Sequence, residues 1–318
     1  MSVASFLANN HSTAFSFEVL PPVRGKSIES LYRSIERLMP FNPAYINITT
    51  HRSEVVYREI SEGVFHRTTE RARPGTVAVA AALKGRYGVA TVPHVICSGF
   101  SKSDIENMLI DLSYLEIEDL LVLRGDKAKN EKRFEPHSEG HQHAIDLCRQ
   151  VVDFNRGVML DDVLSEPLVK PFTFGVAGYP EKHEEAMNID TDISNLKAKV
   201  DAGAAYVVTQ MFFDNNRYFD FVERCRKAGI EVPIIPGIKP LATAHQLTLL
   251  PQIFNCHIPE PLRREVEAHA ADKAAVRQIG TEWAIAQSRE LKAAGVPVLH
   301  YYSMGKADNV IAIARAIF

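Results

Sequence analysis

Short runs rich in Val, Ile and aromatic residues recur along the chain at residues 14–19, 44–49, 91–96, 119–124, 172–177, 205–210, 232–237 and 296–301, each bounded by Gly, Pro or Asp. Runs of this kind read as buried strands. Between them the apolar positions fall at helical spacing: Ile28, Leu31, Ile35 and Leu38 share one face, as do Ile105, Met108, Leu109 and Leu112, and again Ile193, Leu196 and Val200. Alternation of strand and helix implies parallel strands joined by right-handed crossovers, and eight strands favour closure over an open sheet. The predicted fold is therefore α/β, a (β/α)8 TIM barrel forming a single domain over residues 1–318. An open dinucleotide-binding sheet would carry Gly-x-Gly-x-x-Gly after its first strand, whereas this first strand ends in Glu18-Val-Leu-Pro-Pro22.

Two stretches exceed a minimal barrel. Residues 50–76 form a long insertion after the second strand that contains Arg52, Arg58, Arg67, Arg71 and Arg73; it is expected to be a lid, a subunit contact or an extra helix. Residues 255–264, rich in proline, mark an ordered turn before a short helix.

Charge adds little to this picture, with 36 basic against 39 acidic side chains and a net charge of −3. Such a balance disfavours a nucleic-acid or membrane-surface protein. The apolar run at 77–83 falls well short of the ~20 residues of a membrane span, and the amino terminus lacks a signal-like apolar core, so a cytoplasmic location is expected. Cys97, Cys148, Cys225 and Cys256 form no Cys-x-x-Cys pair, which points to reduced thiols and no metal site.

In a barrel the chemistry lies at the carboxyl ends of the strands. The polar residues there are Glu18, Thr49, His94, Arg124 to Asp126, Tyr179, Gln210 and Ser303. Glu18 follows a Phe-Ser-Phe run and precedes two prolines, an apolar setting that would raise its pKa and suit a general acid; the alternative is a structural carboxylate paired to an arginine such as Arg124. Arg124 and Asp126 flank Gly125, where a backbone can approach a ligand while the arginine meets a phosphate or carboxylate. His141 and His143 at a helix start face different ways and lack a third ligand, so a metal pair is not expected.

Six motifs in order then carry a specific resemblance. Phe15-Ser-Phe-Glu-Val-Leu-Pro-Pro22, Leu123-Arg-Gly-Asp126, Val176-Ala-Gly-Tyr-Pro-Glu-Lys-His183, Asn195-Leu-Lys-Ala-Lys-Val-Asp-Ala-Gly203, Thr209-Gln-Met-Phe-Phe-Asp214 and Ile235-Pro-Gly-Ile238 resemble methylenetetrahydrofolate reductases from about residue 14 onward, in the short bacterial form without a further domain. The resemblance implies noncovalent FAD that takes a hydride from NADH or NADPH and passes it to 5,10-methylenetetrahydrofolate. It leaves open a homo-oligomer as the assembled state.

Position by position, Glu18 matches the family's proton donor and Asp126 the carboxylate beside the flavin. Gln210 matches the amide that reads the pterin. Thr49, His94, Arg124, Gly125, His143, Ala144, Ala177, Tyr179, His183, Asp192, Asn195 and Lys199 match positions that line the FAD. Gln246 is expected at the folate or nicotinamide, and Lys306 at the folate glutamate tail, where an arginine would offer a bidentate fork. Where several relatives stack an aromatic ring, this chain has Leu250; His143 stands where some carry tyrosine. Two rival readings remain at this stage: a barrel enzyme binding a pterin or phosphorylated substrate without flavin, and a noncatalytic flavin or folate carrier.

Overall fold

The computed structural model describes residues 1–127, 131, 133–161, 164–303 and 307–318. Helix α1 (Val3–Asn9) precedes strand β1 (Ala14–Val19), and α2 (Glu29–Glu36) leads through a 3-10 turn to β2 (Tyr45–Ile48). A hairpin of β3 (Glu54–Ser61) and β4 (Val64–Glu70) follows, then α3 (Thr76–Tyr87), β5 (Ala90–Ile96), α4 (Lys102–Tyr114), β6 (Asp119–Leu123), α5 (Ala144–Asn155) and β7 (Thr173–Gly178). The chain continues through α6 (Ile189–Asp201), β8 (Tyr206–Thr209), α7 (Asn215–Lys227), β9 (Ile234–Ile235), β10 (Gly237–Ile238), α8 (Gln246–Phe254), α9 (Glu260–Ala268), α10 (Lys273–Ala293), β11 (Val298–Tyr302) and α11 (Asp308–Ile317).

The parallel ladder runs β10-β11-β1-β2-β5-β6-β7-β8-β9. Its two ends, β9 and β10, are one strand interrupted at Pro236, which has no N–H to donate. Ile234–Ile235 pairs with β8 and Gly237–Ile238 with β11, so the broken seventh strand completes the ring. The predicted barrel is thus present, with each of its eight strands within two residues of the sequence-predicted bounds.

Strand alternation separates two cores. On β1, Phe15, Phe17 and Val19 join Leu31, Ile35, Val310 and Ile313 between the strands and the helical ring. The intervening positions face the barrel axis, where Tyr45, Val92, Leu121, Tyr206, Val208 and Val298 pack with Val3 and Leu7 of α1. That helix closes the amino-terminal end: the Val3 amide donates to the Asp119 carboxylate at 2.8 Å, and the Thr173 hydroxyl donates to the same oxygen at 2.6 Å. A third cluster, with Met211, Phe213, Leu241 and Leu250, lies under α8 to α10 beyond the seventh strand. Gly280 of α10 lets that helix press on the Leu241 backbone, since a Cβ there would enter its carbonyl.

The long insertion is a hairpin rather than an extra helix. Glu54 pairs with Glu70 and Ser61 with Val64 in antiparallel register around Gly63, which sits at φ 74°. Its Val, Tyr, Thr and Phe content favours pleated strands, and the glycine supplies the turn conformation that a β-carbon disfavours. Arg24 ties the hairpin to the barrel, its guanidinium 2.9 Å from Glu70 and its amide bonded to the Ala72 carbonyl at 2.8 Å.

Candidate active site

Glu18 is the penultimate residue of β1, on the axial face. Its register partners are Asn47 on β2 and Tyr302 on β11, so three side chains from adjacent strands stand in one layer at the carboxyl end of the barrel. His94 of β5 completes the group, its Nε2 lying 3.5 Å from the Glu18 carboxyl and 3.4 Å from the Asn47 amide nitrogen. Ser303 donates to the Glu18 carbonyl at 2.6 Å and holds the end of the first strand against the last.

Glu18, Asn47 and His94 are all buried. Burial pushes the Glu18 carboxyl up to about 8; Lys239 opposes this shift and Asp126 adds to it. The same loss of solvation drives the His94 imidazole down to about 3, with His51 contributing. Both directions place the proton on Glu18 at neutral pH, so their contact joins a neutral acid to a neutral imidazole and is not an ion pair. Arg124 takes no part in it: its guanidinium clasps Glu185 through both terminal nitrogens and lies 4.5 Å over the Phe134 ring. The alternative of a structural Glu18–Arg124 pair is therefore set aside.

Gly125 follows β6 at φ 83°, and a Cβ there would sit 2.9 Å from that of Ser98. Only glycine accommodates both constraints, and the turn delivers Asp126 to the mouth. The Asp126 side chain keeps solvent exposure, yet loss of solvation still raises its pKa, with Glu184 adding and Arg124 and His183 opposing.

Apart from Thr49 at the second strand, the remaining expected site residues gather along strand ends four to six. Tyr179 meets His183 edge-on at 4.7 Å between ring centroids. The His183 amide donates to the buried Asp192 carboxylate at 2.9 Å, and Lys199, two turns along α6, donates to the Ala177 carbonyl at 2.9 Å. Asn195 lies exposed between them on the same helix face. Thr49 sits at the end of β2 with its hydroxyl 3.2 Å from His51 Nε2. His143 occupies the N-cap position of α5 with an exposed ring that makes no capping hydrogen bond, next to Ala144. Gln210 ends β8, its amide oxygen accepting from the Met211 amide at 2.9 Å.

Gln246 is turned to a local task, its oxygen accepting from the amides of Ala242 and Thr243 at 2.7 and 3.1 Å. Leu250 is buried in the third cluster. Lys306 lies outside the described residues. His141 is buried and bonded to Gln150 at 2.6 Å, and no group of His, Cys, Asp and Glu among the described residues is placed to hold a metal. No helix among them is long and apolar enough to cross a membrane.

Sequence reasoning overlooked Asn47, Tyr302 and Lys239. The strand-end set skips strand seven, although Lys239 directly follows the Ile235-Pro-Gly-Ile238 motif and the same rule would have found it. Asn47 and Tyr302 lie within their strands, and their place beside Glu18 comes from register alone.

The family profile of methylenetetrahydrofolate reductase matches residues 4–317. The 5,10-methylenetetrahydrofolate reductase of Salmonella typhimurium is 28% identical over 302 residues, covering 95% of this chain and 90% of that protein. Methylenetetrahydrofolate reductase (NADH) 1 of Arabidopsis thaliana is also 28% identical over 310 residues, but the chain spans only 48% of its length. Among solved structures, an uncharacterized protein from Clostridium thermocellum that binds two copies of 5-methyl-5,6,7,8-tetrahydrofolic acid superposes with a TM-score of 0.60 over 98% of this chain and 97% of that one. At 15% identity the likeness is one of fold.

Proposed function

Because this chain belongs to the methylenetetrahydrofolate reductase family, we propose that it reduces 5,10-methylenetetrahydrofolate to 5-methyltetrahydrofolate with NADH or NADPH as donor and noncovalent FAD as relay. The observation that carries the reading is Glu18, a carboxyl held protonated at neutral pH inside the mouth of the barrel. A ring opening of the methylene bridge needs a proton on the departing nitrogen, and a buried neutral acid on a rigid strand can give it.

The residues at strand ends four to six fit a flavin dinucleotide by their chemistry. Gly125 lets backbone approach a ligand, Lys199 brings a cation and Asn195 an amide for phosphates, and Asp192 brings a carboxylate for a ribose. When bound, FAD would supply two-electron hydride chemistry between nicotinamide and folate. Glu18 then donates its proton to the substrate's bridge nitrogen. His94, kept neutral, places no positive charge against that acid. Asp126 contributes a negative charge that favours a cationic folate about to accept hydride. Gln210 offers a donor and an acceptor to the pterin's lactam edge, and Thr49, His143, Ala144, Ala177, Tyr179 and His183 line the cofactor.

The purified protein is expected to show an oxidised-flavin spectrum that bleaches anaerobically with NADH or NADPH and returns with methylenetetrahydrofolate. FAD at ~100 times its dissociation constant should add about 2.7 kcal/mol to unfolding stability, read from denaturant curves with and without cofactor. Release of FMN, or a folded protein that takes up no flavin, would overturn the cofactor assignment.

Asp126→Asn keeps the shape and removes the charge. The flavin's reduction potential should rise and folate reduction should slow, with reduction by nicotinamide less affected. An unchanged potential would place Asp126 away from the cofactor's ring.

A further inference from the structure

One cation at the barrel mouth has no part in the roles above. Lys239 follows Ile238 at the end of the seventh strand. β10 sets Gly237 opposite His300 and Ile238 opposite Tyr301, so the next step of the register brings Lys239 level with Tyr302. On the other side of β11, Tyr302 is paired with Glu18. Ile238 packs outward into the helical core, and alternation therefore turns Lys239 toward the axis. Lys239 is only 9% exposed. Burying a lysine side chain is costly, so its place needs a reason.

We propose that Lys239 is a positioning residue for the proton-donating step, its ammonium facing the Glu18 carboxyl from two strands away and setting how readily that carboxyl releases its proton. The proposal rests on Glu18 acting as the acid. Glu18 is faced by Asn47 and His94 from β2 and β5, by Asp126 from the turn after β6, by Tyr302 from β11 and by Lys239 from strand seven. Asn47 carries no charge, and burial keeps His94 and Tyr302 neutral. Asp126 and Lys239 act in opposite senses, the first resisting ionisation of Glu18 and the second favouring it. Burial brings the Lys239 ammonium down to about 8, with Glu18 opposing that fall.

The consequence is directional. Proton donation turns Glu18 into a buried carboxylate, and Lys239 stabilises that product. Lys239→Met keeps an unbranched buried side chain and leaves the carboxyl facing Asp126 alone, so the acid becomes weaker.

The test follows the carboxylic-acid C=O band of Glu18 in the infrared spectrum of the holoprotein, assigned by its loss in Glu18→Gln. Its titration midpoint should rise by about 1 pH unit in Lys239→Met, and Lys239→Arg should hold it at or below the wild-type value. Flavin reoxidation by methylenetetrahydrofolate should slow up to about tenfold at neutral pH in Lys239→Met, while flavin reduction by nicotinamide stays within twofold. Lys239→Gln serves as a second neutral variant if the methionine protein does not fold.

A midpoint unmoved in both neutral variants would overturn the proposal. So would an unmoved midpoint with a raised KM for folate, which would make Lys239 a substrate contact. A wild-type holoprotein that titrates as described yet is never reoxidised by methylenetetrahydrofolate would instead overturn the functional reading.

Discussion

Glu18→Gln is expected to lower the reoxidation of flavin by methylenetetrahydrofolate by about 10²–10⁴-fold while leaving its reduction by nicotinamide nearly unchanged. Hydride transfer from a nicotinamide requires no acid, whereas opening the methylene bridge requires a proton at the departing nitrogen. Glutamine keeps the size and the neutral state that the glutamic acid has at neutral pH, so the contact with His94 retains its shape and only the transferable proton is lost. A quinone acceptor should still reoxidise the variant because that route opens no bridge. Stopped-flow traces in which folate reoxidises it at the wild-type rate would make Glu18 a structural carboxyl.

The same substitution carries a signature in stability. Glu18 is raised from its ordinary 4.5 to about 8 in the folded protein, so folding binds its proton more tightly. Its stabilising contribution is complete below the unfolded pKa and declines as pH rises toward 8. Glu18→Gln removes that decline. Urea midpoints for the variant should therefore vary less between pH 5 and pH 8 than those of the wild type.

Phe17→Ala, one residue away, should do the opposite, costing about 3–5 kcal/mol of stability while leaving the activity of folded molecules largely intact. Phe17 is fully buried on the outer face of β1, where it packs with Phe15 at 5.6 Å between ring centroids and with the helical ring. Truncation removes apolar contact and leaves a cavity that the rigid strand cannot collapse, yet the axial face with Glu18 is untouched. Denaturant unfolding measures the loss. A cost under about 1 kcal/mol would show that the outer core tolerates the void.

These two neighbours mark how far the sequence was readable. A run of Phe-Ser-Phe-Glu announces a strand with two faces, and the two prolines that follow announce its end. The same local grammar located the other seven barrel strands and the polar residues at most of their ends, including Asp126 behind Gly125, whereas the Asp192–Lys199 face of α6 was singled out only by the family resemblance. It was less successful at residues 50–76, where a charged surface masked the alternation of a hairpin with both faces largely exposed. At Gln246 the sequence could not show that the amide oxygen secures its own turn by accepting from the Ala242 amide.

The sequence by itself determined the alternation of barrel strands and helices, the eight-strand count and the family. All of these rest on short-range periodicity, on glycine and proline, or on motif order. The tertiary structure alone decided which distant residues became neighbours. Closing the ring through the broken seventh strand set Ser303 against Glu18 and Lys239 level with Tyr302, and it placed His94 beside the acid, separations of many tens to hundreds of residues. The protonation of Glu18 belongs to that second class, because it depends on solvent excluded by every surrounding strand and on charges contributed from across the barrel.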